Sequence, residues 1–389
     1  ARRPYLNEDD GPAAVRALRR LELPFFASSA AWVNRPARGL VLRGRVRPSL
    51  QDSLFAVEAE VRSSLETELC QELGRHVRVH LLRSEEQEEG GDAHGVSYEL
   101  FVAEVRAISG QEKLAYTVVS LAVALLCAMQ LGSAPLLKIA GAGASLLQPG
   151  AALPLGTLCG LLAAGEVAKA AAVQGLGGTW APPIILPSPQ LGLLGSFPSG
   201  PEVPYSSRTT ALLGSLAGPL AVAACSALLV AYGTLIGSGT DIALQVPLGI
   251  AWPLATLPEQ CDTLLWAGTH GFLMASLALL PQSPAGQAAW QSLLGRKRAK
   301  QVGDFFGYLY PLIGIVCSMY YGPGWFILPL WWSVLVVNVA PTQVVPPLEE
   351  VSEVPLILRV IAGAALIGAA LATVPLPLPE LLQLHPTAF

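Results

Sequence analysis

Charge is scarce in this chain. Only 13% of its 389 residues are Asp, Glu, Lys or Arg, against 52% that are apolar, and the mean hydropathy is +0.50. A soluble chain carries roughly a quarter of its residues as charges, so a single soluble globule and a disordered chain are both excluded. Metal-ligating side chains are sparse too. There are five histidines and six cysteines. Cys70, Cys127, Cys159, Cys225, Cys261 and Cys317 stand far apart, with no CxxC and no histidine close enough to complete a zinc spacing. A disulfide-built secreted module is excluded, and the cysteines read as small hydrophobes. Neither sign of charge dominates: the net charge is -4, which argues against a nucleic-acid partner.

The few charges are unevenly placed. Of 24 Lys and Arg, 16 lie at or before Lys113, as do 18 of 28 acidic residues. The chain is therefore a polar head on an apolar body. It begins Ala1-Arg2-Arg3 rather than with Met, which reads as a mature chain whose targeting segment has been removed. Residues 1–37 carry five Pro and Gly among mixed charges and one basic helical patch around Val15–Arg20, and are expected to form an extended charged arm. Residues 38–112 form the head. Leu40, Leu42 and Val46 alternate with arginines as in a strand. Helical spacing from Phe55 to Leu73 predicts an amphipathic helix over 50–73, ended by Gly74. Val77–Leu81 and Val96–Val105 return as strands around an acidic Glu85–Asp92 loop. The expected head is a small β-α-β-β module resting on the body.

From residue 113 the chain reads as a polytopic membrane domain to residue 376, with a C-terminal tail at 377–389. A spanning helix needs about 20 mostly apolar residues. Candidate spans are Leu114–Leu131, Ala151–Ala172, 209–232, Thr263–Leu280, two within the charge-free 305–348 divided at Tyr321-Gly322-Pro323-Gly324, and Val360–Leu376. That makes seven. Ala134–Leu147 and Ile242–Leu257 are short or Pro-broken and read as re-entrant or interfacial. The apolar, Pro- and Gly-rich stretch from Pro182 to Phe197 cannot be a spanning helix; irregular backbone at membrane depth needs shielding by protein, so it reads as a hairpin dipping between helices. Arg296, Lys297, Arg298 and Lys300 set the orientation, with head and basic loop on one side, cytosolic or stromal, and the C-terminus on the other. The fold class is thus an α-helical polytopic membrane protein of about seven spans, with re-entrant segments, an intramembrane hairpin and a small N-terminal α+β soluble domain.

The order of these features resembles a known family. Arg43-Gly44-Arg45-Val46-Arg47 in the head, a charged motif inside the second span, the hairpin Pro187-Ser188-Pro189-Gln190-Leu191-Gly192-Leu193-Leu194-Gly195, the helix motif Leu216-Ala217-Gly218-Pro219-Leu220 and the turn Leu279-Leu280-Pro281 ahead of Gly295-Arg296-Lys297 together resemble the site-2 protease family of intramembrane zinc metalloproteases. Within it the plastid branch, the ethylene-dependent gravitropism-deficient and yellow-green proteins, is most similar, its RGNLR head signature matching Arg43–Arg47 with two differences. The likeness runs from about residue 40 to 376. The resemblance implies zinc held by HExxH, two histidines on one helix face with the glutamate as general base, and by the aspartate of an "NLLP-x-G-x-LDGG" turn. This chain reads Gly165-Glu166-Val167-Ala168-Lys169 at the first motif, and Ala285 falls at the aspartate position. A zinc ligand must donate a lone pair. Hydrogen, ammonium and methyl groups do not, so the resemblance implies a proteolytically inactive member with no resident metal.

Other constellations admit several readings. Glu166 and Lys169, three apart on one helix, can face and neutralise each other; they can also bind something in the vacated site or meet a partner. His270, near Trp266 in the fourth span, is expected to make an interhelical hydrogen bond, with pigment ligation as the alternative. Tyr308, Tyr310, Tyr320, Tyr321, Trp325, Trp331 and Trp332 read as an interfacial aromatic belt. Rhomboid-type chemistry needs a Ser in a Gly-x-Ser context and a His in a separate span; Gly214-Ser215 is present but belongs to the helix that carries the Leu216–Leu220 motif. The expected function is a non-catalytic structural, assembly or regulatory subunit of a plastid membrane complex, with a photosynthetic thylakoid assembly (a photosystem) the partner the resemblance implies, the head on the stromal side, and lipid, chlorophyll or carotenoid as possible bound molecules. The alternatives are an intramembrane protease with an unorthodox site, such as Glu166 with Cys159, and a small-molecule carrier using the empty cavity.

Overall fold

A computed structural model of the chain describes residues 11–20, 25–33, 39–46, 54–73, 77–83, 97–104, isolated helical positions between 111 and 122, 149–178, 180–188, 192–198, 205–236, 263–321, 332–337, 347–348 and 352–373. Most of the expected first span, both re-entrant candidates, the Glu85–Asp92 loop, the Gly322–Gly324 break and the 377–389 tail lie outside the described residues. The described chain is mostly helical, with a small strand-containing region.

The head consists of α1 (Gly11–Arg20), β1 (Phe25–Val33), β2 (Gly39–Val46), α2 (Leu54–Leu73), β3 (Val77–Arg83) and β4 (Ser97–Glu104). Its strands form one antiparallel sheet in the order β1-β2-β4-β3. Two parts of the expected arm, α1 and β1, thus belong to the head. The physical reason is plain in β1: nine residues without a charge complete the sheet by pairing with β2, Trp32 opposite Leu40 and Phe26 opposite Arg45. Along β2 and β4 both alternating faces are apolar. Leu40, Leu42, Leu100 and Val102 pack with Leu65 and Leu69 of α2 and Ala14 and Ala17 of α1, whereas Val41, Leu82 and Phe101 make a second cluster on the opposite face. A sheet buried on both faces loses the polar alternation that marks a half-exposed one. α1 and α2 are also joined by Arg16–Glu72 and Arg20–Glu68, both at 3.5 Å, and Glu66 of α2 holds Arg78 (3.1 Å) and accepts from the Val79 amide (3.0 Å).

The body contains α3 (Pro149–Gly175), a hairpin of β5 (Pro183–Ser188) and β6 (Gly192–Pro198), α4 (Arg208–Ile236), α5 (Thr263–Ala278), α6 (Pro284–Leu294), α7 (Arg296–Tyr321) and α8 (Leu356–Ala372). Two of these helices, over Gly156–Gly175 and Arg208–Gly233, are long and apolar enough to cross a membrane, and α8 is a shorter apolar helix. α5, at 16 residues, rises about 24 Å. Close approach of these helices relies on small residues, as in membrane helix packing. A Cβ on Gly165 of α3 would stand 2.6 Å from Val222 Cγ2 and 3.4 Å from the Gly218 carbonyl oxygen of α4; one on Gly268 of α5 would meet Val230 Cγ2 at 2.7 Å.

The Pro- and Gly-rich segment is a regular antiparallel hairpin, Ile184 opposite Phe197 and Ile185 opposite Ser196, with an irregularity at Leu186/Pro187. Successive β6 side chains enter different clusters. Leu193 packs with Leu158, Leu161, Val222, Met274 and Ala275, and Leu194 with Leu273, Leu277, Tyr310 and Trp332. Tyr310 and Trp332 are therefore core residues at 2% and 1% exposure, not members of an aromatic belt, and Phe197 meets Trp332 edge-on with ring centroids 5.5 Å apart. Tyr308, in contrast, is 82% exposed. Tyr321, Trp325 and Trp331 have no described side chains.

Head and body are tied together through the short segment at 347–348. The Leu81 amide of edge strand β3 donates to the Leu348 carbonyl (2.8 Å), the Leu348 amide donates to the Tyr205 carbonyl (2.7 Å), and His80 Nδ1 lies 3.3 Å from the Pro347 carbonyl oxygen. Glu99 on the same face of the sheet as Phe101 lies 3.1 Å from Arg43 Nε and 3.9 Å from Arg296 Nη2 at the start of α7.

Candidate functional site

Four elements meet around one cavity of about 60 Å³: α3 contributes Gly165, Glu166 and Lys169, the hairpin Gly195 and Ser196, α4 Ser215, Gly218 and Pro219, and the α5–α6 region Met274, Ser283 and Ala285. The positions at which the family resemblance implies zinc chemistry, 165, 166, 169 and 285, are thus brought together although 116 residues of chain separate Lys169 from Ala285.

Each position has a local cause. Ala285 lies in the first turn of α6, behind an N-cap in which Ser283 Oγ accepts from the Gly286 amide (3.0 Å) and Pro284 occupies the first helical position. The same hydroxyl donates to the Leu280 carbonyl (2.8 Å), closing the Leu279–Ser283 turn. Gly286 is required there, because a Cβ would overlap the Leu280 backbone. On α4, Ser215 Oγ donates to the Leu212 carbonyl (2.9 Å), and Gly214 lies against the Tyr205 ring, so the Gly214-Ser215 pair is spent on packing. Pro219 has no N–H with which to complete the helix at Ser215.

Among the described residues that line the cavity, Glu166 is the one acid. Its carboxylate accepts from Ser196 Oγ (2.6 Å) and from Trp180 Nε1 (3.1 Å), two neutral donors from the hairpin and the chain entering it. Charge-assisted hydrogen bonds of this kind are each worth about 1.5–3 kcal/mol. Lys169, one turn on, lines the same cavity and packs its Cβ close to Gly218. The carboxylate therefore fastens α3 to the hairpin. Neither Trp180 nor Ser196 stands out in the sequence; the only available signal is that a carboxylate in a body so poor in charge needs a donor, and indole and hydroxyl groups are what the body offers.

Gly165 has a role that its lack of a ligand atom does not convey. The space a side chain would fill is already held by Val222, and a Cβ on Gly218 would in turn meet the Gly165 carbonyl oxygen at 3.3 Å. The donor set does not fit a zinc ion: 165 is backbone against backbone, 169 carries an ammonium and 285 a methyl. Among the described residues no three His, Cys, Asp or Glu side chains converge as a metal-binding group. Cys159 is on α3 two turns before Glu166, within the cluster around Leu158 and Leu161, and is not among the residues lining the cavity. His270, 5% exposed, places Nε2 2.6 Å from the Leu193 carbonyl oxygen, a bond to the hairpin backbone.

A cavity of this size holds a few water molecules and lies far below the roughly 300–1,000 Å³ of small-molecule pockets. Comparisons with protein-family models, with curated proteins and with solved structures find no match to this chain.

Proposed function

We propose that this chain is a membrane-embedded pseudoprotease of site-2 protease type, with about seven spans, that serves as a structural, assembly or regulatory subunit of a plastid membrane complex, a thylakoid photosystem assembly being the first candidate. Its head lies on the stromal side in this reading, and its exposed apolar helix faces meet other subunits, lipid or pigment. The reading draws its location and partner from the family resemblance and its lack of catalysis from the cavity.

The observation that carries it is the packing at Gly165. A helix crossing closed by Gly165 and Gly218 against Val222 uses the first ligand position for contact between helices, and Glu166 is engaged by Ser196 and Trp180. Without a metal no water is brought near a neutral pKa at such a site, and the cavity keeps shape rather than hydrolysis. The test is metal analysis of the purified full chain together with a peptide-cleavage assay with and without chelator, and identification of what co-purifies in mild detergent. The expected result is no stoichiometric zinc, no chelator-sensitive cleavage and a set of companion membrane subunits. Zinc bound at one per chain, or an isolated monomer with neither companion nor cofactor, overturns the proposal.

A further inference from the structure

Two deeply buried donors of the body go unanswered. Tyr310 of α7 and Trp332 of the segment 332–337 are 2% and 1% exposed, and neither the phenol hydroxyl nor the indole N–H finds a hydrogen-bond partner among the described residues. The half-buried indoles of Trp180 and Trp290 both donate, to Glu166 at 3.1 Å and to the Leu279 carbonyl at 3.3 Å. Tyr310 and Trp332 belong to one cluster beneath the hairpin, and its other members are Leu, Phe, Val and Ala side chains. No side-chain acceptor lies within it. A buried donor without an acceptor costs free energy, and folded proteins keep few of them.

The chemistry of the surroundings narrows the acceptor. A water molecule accepting from the two rings would bring two O–H groups of its own, and a buried water is held by about three hydrogen bonds; the remaining side chains of the cluster offer it none. A carbonyl oxygen has two lone pairs and no hydrogen, so it answers a donor and leaves no polar hydrogen unpaired. The approach to the cluster is apolar as well. α7 packs its backbone principally against α6 and reaches the cluster through the side chains of Phe306 and Tyr310, which rotation can part without opening a helix crossing. Close in the chain to the cluster members Leu335 and Ala370 stand Val337 and Leu371, both exposed.

We propose that this cluster is a binding site for an apolar molecule carrying carbonyl oxygens, a quinone or the ester end of an acyl lipid, held by hydrogen bonds from the Tyr310 hydroxyl and Trp332 Nε1. The ligand is drawn from the bilayer, so the proposal rests on the membrane reading given above. Its test is thermal unfolding of delipidated full-length protein in neutral detergent with three additives: decylubiquinone, a diester phosphatidylcholine, and the diether analogue of that lipid, which keeps the chains and headgroup and has no carbonyl. The quinone, the diester or both are expected to raise the midpoint by about 5 °C at a hundredfold excess over Kd, and the diether to leave it unchanged. Which additive acts identifies the source of the carbonyl. Tyr310→Phe alone is expected to leave the midpoint of the additive-free protein unchanged or higher, because an unanswered hydroxyl is removed, and to cut the additive-dependent rise by at least half. Trp332→Phe is expected to cut that rise as well.

No rise from quinone or diester beyond that of the diether, or a full rise in the double variant, overturns the proposal. So does a loss of stability in Tyr310→Phe that is the same with and without additive, the mark of a water or a protein group already holding the hydroxyl. Entry into nanodiscs of phosphatidylcholine reports on the membrane reading separately: a chain that enters but shows no carbonyl-dependent rise leaves that reading standing, and one that does not enter removes both.

Discussion

The head and the body of this molecule are held together by different means. The head is a sheet filled on both faces by large aliphatic and aromatic side chains, trimmed with ion pairs between α1 and α2 and between α2 and β3. The body is closed by glycines at helix crossings and by a hairpin whose neighbouring leucines enter separate clusters. In the head, a charge is one of many. In the body, Glu166 of the cavity lining is committed to two hydrogen bonds. The lesson is that the same kind of substitution has opposite weight in the two regions: added volume is the harm in the body, and lost apolar area is the harm in the head.

Thermal unfolding in detergent can break or sharpen that contrast. The largest effect is expected from Gly286→Val, where the new side chain meets the Leu280 backbone and no side-chain rotation relieves it; a loss of about 3 kcal/mol or more, or failure to fold, follows from overpacking. Gly165→His, which restores the ligand type the resemblance implies, is expected to lose about 2–3 kcal/mol by displacing Val222, and to bind no zinc. A stable Gly165→His protein would show the α3–α4 crossing to be looser than described. Trp180→Phe removes one donor from Glu166 while retaining the ring; about 1–3 kcal/mol is expected, with little additional effect of Ser196→Ala once Glu166→Leu has removed the acceptor.

Smaller still is Glu99→Gln, which loosens the contact between β4 and the start of α7. About 1 kcal/mol is expected, together with faster proteolysis at the head–body junction. Arg16→Ala is the smallest. Its guanidinium is largely exposed and 3.5 Å from Glu72, and the change should be about 0.5 kcal/mol or less. If it instead equals the Trp180 effect, the contrast between the regions fails.

Much of the fold is legible in the amino-acid order. Period-two alternation marks β2 and β3, a short apolar run marks β4, helical spacing marks α2, and longer apolar runs mark α3, α4, α5 and α8 to within a few residues. β1 is not legible in this way, because Phe25–Val33 sits in a segment rich in Pro and charge and pairs only through a partner strand. α6 was hidden by its shortness and by its closeness to the α5 run. Tyr310 and Trp332 look like belt residues in one dimension, where an interfacial ring and a core ring are alike; both are buried by the hairpin, and Tyr308 is not.

Local order along the chain is enough to specify where many of the helices and strands run, the polar head and apolar body, and the lack of metal-donor side chains at 165, 169 and 285, since composition and periodicity act over a few residues at a time. The company each residue keeps is a matter of distance in space. That Glu166 would find Trp180 and Ser196, that Gly165 would be a contact surface between helices, and that Leu348 would bridge β3 to Tyr205 all depend on segments tens or hundreds of residues apart arriving at the same place. Packing is settled by volume and hydrogen-bond geometry between such segments, and neither is written at any single position.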